Sequence, residues 1–89
     1  MEEYFIAVFA TAHLAIHSEK IIKTKFPSAK LIPLPSEISS GCGLCLKIMP
    51  ESLDGVILEF KENNISFDGL YKIIKKGYSK ILEPIQILL

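Results

Sequence analysis

The chain contains no arginine, and its ten lysines are balanced by ten carboxylates, so it carries no formal net charge at pH 7. It lacks both the net positive field and the planar guanidinium fork that nucleic-acid recognition favours, so no nucleic-acid partner is expected. Long hydrophobic runs are missing too. The apolar stretch after the N-terminus is interrupted by His13, His17, Glu19 and Lys20, and Met1-Glu2-Glu3 is acidic where a signal peptide is basic. Neither a signal peptide nor a membrane span is expected, which places the protein in the cytoplasm with no membrane partner. Cysteine is scarce. Two residues, Cys42 and Cys45, are too few for a secreted disulfide scaffold, and in a cytosolic chain the C-x-x-C spacing points to redox, metal or sulfur chemistry.

Apolar residues are abundant. The chain has 89 residues, 49% of them hydrophobic, with isoleucine prominent. That length allows one domain only. Chains this short bury only about 60 to 65% of their unfolded surface, yet a core this rich offsets chain entropy without a staple.

The pattern along the chain predicts six elements. Tyr4 to Phe9 is dense in β-branched and aromatic residues with little polar alternation, as in a central strand. Thr11 offers an N-cap to a helix whose core face is Leu14, Ala15, Ser18, Ile21, Ile22 and Phe26, ending before Pro27. Ala29 to Leu34 predicts a strand that Pro33 and Pro35 confine to an edge. A turn-rich loop then leads to a strand over Leu44 to Met49. Pro50, Glu51 and Asp54 open a second helix that stops near Asn63-Asn64. Phe67 to Ile74 is the last strand, after which Lys72, Lys75 and Lys76 keep its edge soluble.

Strand, helix, strand, strand, helix, strand predicts an α+β fold of the ferredoxin-like βαββαβ type: four antiparallel strands with both helices on one face. It occupies residues 1–76. The remainder, 77–89, is an apolar tail with Ile81, Leu82, Ile85, Ile87, Leu88 and Leu89. It is expected to cover the open sheet face or to meet a partner subunit, which makes a homodimer the expected state.

One chemical centre stands out. Cys42 lies in the turn Ser39-Ser40-Gly41-Cys42-Gly43, where Gly41 and Gly43 free the backbone to turn its amides toward an anion and the serines add hydroxyl donors. A cysteine reacts as its thiolate, so such a donor-rich, accessible turn suits a nucleophile. In the predicted topology the end of strand 1, the start of helix 1 and this hairpin share one end of the sheet, which makes Thr11 and His13 neighbours of Cys42. Cys45 lies one residue into a strand and suits core filling.

Three blocks carry a family resemblance: Thr11-Ala12-His13-Leu14-Ala15 with Glu19-Lys20; Leu31-Ile32-Pro33-Leu34-Pro35 with Glu37-Ile38-Ser39-Ser40-Gly41-Cys42-Gly43-Leu44; and Asn63-Asn64-Ile65-Ser66-Phe67-Asp68-Gly69-Leu70-Tyr71. Over positions 4–74 the chain resembles the putative selenium/sulfur carrier protein-like family. The resemblance implies a carrier that accepts a sulfane sulfur or selenium atom on Cys42 from a donor protein and passes it to an acceptor protein; a non-enzymatic carrier or binding protein is favoured over an enzyme, and no cofactor is expected. Ser36 stands where the family commonly has a basic residue, and Cys45 where it has a small one. The second departure opens an internal disulfide.

Three other readings compete. His13 and His17, spaced i, i+4, could join Cys42 and Cys45 in a zinc site. Cys42 and Cys45 could form a dithiol redox pair. In the third, the domain is a non-catalytic binding or regulatory module in which no cysteine reacts.

Overall fold

A computed structural model describes residues 1–39 and 41–86; Ser40 and the last three residues of the tail, Ile87, Leu88 and Leu89, lie outside that description. The chain is a mixed α+β fold with two helices and a five-stranded antiparallel sheet. Strands β1 (Glu2–Val8), β2 (Lys30–Pro33), β3 (Leu44–Ile48), β4 (Gly69–Lys76) and β5 (Ser79–Ile85) stand in the order β2-β3-β1-β4-β5. Helix α1 (Ala12–Ile22) joins β1 to β2, and α2 (Leu53–Glu62) follows β3.

The expected four-stranded sheet is therefore corrected to five. The first four strands stand in the order β2-β3-β1-β4, and Ser79–Ile85, read as tail, adds β5 beside β4 in register from Lys76↔Ser79 to Leu70↔Ile85. The connection is a two-residue turn, Gly77-Tyr78, with Gly77 at φ +61, the positive angle that the first position of a type II′ hairpin requires. Pro84 is tolerated because β5 is an edge strand. The same hairpin corrects the lysine reading. Lys72, Lys75 and Lys76 lie inside β4, which has neighbours on both sides, and Lys72 pairs with Glu3 of β1 at 3.4 Å.

β1 is central, between β3 and β4, and both its faces are packed, which explains its lack of polar alternation. On the helix side Ala7 and Phe9 join Leu46, Ile48 and Leu70 of the neighbouring strands with Ala15 and Ile22 of α1 and Val56 and Phe60 of α2. On the other face Tyr4, Ile6 and Val8 join Cys45 and Ile73. This open face takes part of its cover from Leu34 and Ile38 in the segment after β2, and Glu37 of that segment is pinned to Lys80 of β5 at 3.5 Å.

Local chemistry sets the element ends. Thr11 has extended backbone angles and its Oγ1 accepts the N–H of Leu14 at 3.2 Å, capping α1. The helix stops at Ile22, short of the expected end before Pro27. Thr24 Oγ1 donates to the Ile21 carbonyl at 2.8 Å, and Phe26 N–H to that of Ile22 at 2.9 Å, using groups the helix leaves unpaired. Pro50 opens a 3-10 turn, Pro50–Ser52, before the α-helix proper. α2 ends where the two asparagines predict: Asn64 adopts φ +53, Asn64 N–H bonds the Lys61 carbonyl and Ile65 N–H bonds that of Phe60, a Schellman arrangement with asparagine in the left-handed position. Pro33 places β2 at the sheet edge as expected, and Glu19 of α1 accepts the Leu31 N–H at 2.8 Å.

Phe60 is the hinge of the helix-side core, edge-on to Phe9 at 6.2 Å and tilted against Phe67 at 4.9 Å. Phe60→Ala is expected to cost about 3–5 kcal/mol, measured as a lowered urea midpoint with an unchanged m-value. A loss under about 1 kcal/mol, the scale of an exposed substitution, would contradict this account of the core.

Candidate functional site

The site is the tip of the β2–β3 hairpin. The ladder runs to Pro33↔Leu44, and one more bond, from Leu34 N–H to the Gly43 carbonyl at 3.0 Å, closes the loop. Gly43 sits at φ +74 with nothing within 4 Å of where a Cβ would point. The demand there is conformational, on the order of 1–2 kcal/mol for a residue with a side chain. At Gly41 the demand is steric: a Cβ would stand 2.9 Å from the Ala10 carbonyl oxygen. Close contact with Ala10 seats the loop on the β1–α1 junction, beside the Thr11 cap.

Between these glycines Cys42 is half-buried against the helix-side cluster. Its Sγ accepts the N–H of Leu44 at 3.3 Å and donates to the carbonyl of the same residue at 3.1 Å. The β1–β3 register ends at Val8↔Cys45, so Leu44 lies one residue past that ladder and both its peptide groups meet the sulfur.

Cys45 belongs to the opposite face. It is 0% exposed, packed with the open-face cluster, and its Sγ donates a weak bond to the Pro33 carbonyl at 3.8 Å. Burial, with a smaller contribution from the charge of Cys42, pushes its thiol from the usual 9.0 up to about 12. Since the thiolate is the reactive form, Cys45 is inert in the folded chain. Both cysteines are free thiols. They pack against different clusters, on opposite faces of the sheet.

The remaining expected residues take other roles or stand exposed. Thr11 spends its hydroxyl on the helix cap. His13 is exposed on the first turn of α1, where its imidazole makes no hydrogen bond or ion pair among the described residues; His17 and Ser39 are exposed as well. Ser40 lies outside the described residues. Among the described residues no group of three or more His, Cys, Asp or Glu side chains is gathered to hold a metal ion. The sequence reading missed Leu44 and Ala10, which act through peptide groups and so leave no signal in side-chain identity.

A family model described as Putative Se/S carrier protein-like matches residues 3–72, which include the whole hairpin and its seat. The chain belongs to that family. No curated protein and no solved structure matches it. The family match ends within β4, so β5 lies beyond it.

Two outcomes test the inequality of the two thiols in this family member. At neutral pH a soluble alkylating reagent is expected to label Cys42 in the native chain and to reach Cys45 only after unfolding, as read by peptide mass mapping; equal native rates would contradict it. The second outcome concerns pH. A thiol whose pKa is raised by folding stabilises the fold fully below its unfolded value, near 9.0, and that contribution fades as pH rises toward about 12. Wild type should therefore lose stability between these limits faster than Cys45→Ala, by roughly 1 kcal/mol per pH unit. Parallel denaturation curves over that range would show that Cys45 is not held protonated by burial.

Proposed function

We propose that the chain is a carrier that accepts a sulfane sulfur or selenium atom on Cys42, as a persulfide or selenosulfide, from a donor protein and delivers it to an acceptor protein. The observation that carries this reading is the contrast between the cysteines of a family member: Cys42 only partly buried in a glycine-flanked turn, Cys45 sealed in the sheet. In the loading step the Cys42 thiolate attacks the terminal sulfur of a donor persulfide. A new S–S bond forms on Cys42, the donor's S–S bond breaks, and the donor sulfur leaves as a thiolate, with no net oxidation. Ionisation removes the bond from the thiol to the Leu44 carbonyl and leaves the Leu44 N–H as a donor to the anion. Unloading is the same exchange with an acceptor thiolate as the attacking group.

Intact mass spectrometry tests the proposal. After incubation with a cysteine desulfurase and cysteine, wild type and Cys45→Ala should each gain the mass of one sulfur atom, removable by reductant, and Cys42→Ser should gain none. A Cys42→Ser protein that gains the same mass would move the cargo away from this residue.

A further inference from the structure

The open face holds a second constellation, one that the sulfur chemistry does not use. A cavity of about 390 Å³ is lined by Lys30 of β2, Lys47 of β3, Lys75 of β4 and Lys80 of β5, with Tyr4 of β1 and Pro35. Four strands thus each contribute one lysine to its lining. The register makes this unfavourable in isolation: Lys30 stands directly opposite Lys47, and Lys75 directly opposite Lys80, and like charges in such positions repel. The repulsion is only partly offset. Lys47 reaches Glu2 at 3.3 Å and Lys80 reaches Glu37 at 3.5 Å; Glu2 also stands opposite Lys75 in the β1–β4 register, but its carboxylate is paired with Lys47, and among the described residues neither Lys30 nor Lys75 forms an ion pair. Tyr4, only 5% exposed, presents its ring to the ammonium of Lys47 at 4.5 Å and to that of Lys75 at 5.8 Å, an aromatic face that draws cations together.

Lysines and carboxylates balance over the whole chain, so this concentration of one sign is local. We propose that the cavity binds a small oxyanion of the phosphate type, free or as the ester of a small organic molecule. Its volume lies within the span of about 300–1,000 Å³ common for small-ligand sites. Ammonium groups hold such anions as point charges without the bidentate geometry of arginine. A bound anion supplies the charge that Lys30 and Lys75 lack and relieves both like-charge pairs. No residue of the Cys42 turn lines the cavity, so the proposal stands independently of the carrier reading.

Calorimetric titration of the full chain with inorganic pyrophosphate, and separately with ribose 5-phosphate, tests it. Saturable binding of either supports the proposal, and the tighter of the two tells whether an organic portion is also held. Lys30→Gln/Lys75→Gln should weaken that binding by roughly tenfold or more, while its melting temperature should equal or exceed that of wild type because repulsion is removed. Lys20→Gln/Lys61→Gln, which alters net charge equally on the exposed helix surfaces, should bind as wild type does. Absence of saturable binding of both probes, or equal loss in the two double variants, would overturn it.

Discussion

Because β1 runs between β3 and β4 and is packed on both faces, no residue from Tyr4 to Phe9 is exposed, and the placement of every other element follows from where this strand lies. Full burial of one large aliphatic side chain is worth about 1.5–3 kcal/mol, whereas solvent-accessible ion pairs such as the partly exposed Lys72–Glu3 are worth about 0–1 kcal/mol each. The apolar contacts of β1 therefore hold the sheet together, and the charged pairs at its margins adjust it. The strand also has a functional consequence. The chain leaves it at Val8 and reaches the α1 cap at Thr11, and between them the Ala10 carbonyl is the surface against which Gly41 rests. The cysteine turn is thus positioned by the most deeply buried strand, although the turn itself lies at the periphery.

Much of this was legible in the sequence, and the physical reasons for success and failure are specific. β1 was readable because a strand buried twice must be apolar at successive positions, and α1 because Thr11, Ala15, Ser18 and Ile22 mark a cap and one face. The asparagines ended α2 as expected because the left-handed position tolerates asparagine. β5 was missed because Pro84 and a run of aliphatic residues read as tail; the overlooked signal was the Gly77-Tyr78 dipeptide between two strand-like runs. The covering segment with Leu34 and Ile38 was missed for a different reason. Isolated apolar residues between prolines and serines have no period, and only the tertiary fold lays them on the open face.

At the site, legibility followed the same division. Glycines on both sides of Cys42 announced a turn with backbone demands, and the structure supplies two different demands, one conformational and one steric. The proximity expected for His13 and Thr11 was an inference from topology. Topology brings backbones to one end of a sheet without aiming side chains, and here the threonine hydroxyl is already committed to the helix and the imidazole is turned to solvent. The lysine-lined face escaped notice because a balanced total charge hides a local imbalance. Lysines on four separate strands converge only when register and face are known.

The opposed faces of Cys42 and Cys45 have one more consequence. A thiol neighbour on the same face would attack a loaded sulfur and expel it as hydrogen sulfide, closing a ring within the chain. On the proposed carrier reading, the one other thiol of the chain is a protonated core residue on the other face of the sheet, poorly placed to attack a persulfide on Cys42. On that reading the dwell time of a cargo would be set by encounters with outside thiols, and its retention would rest on the sheet that separates the two sulfurs and not on the turn that displays one of them.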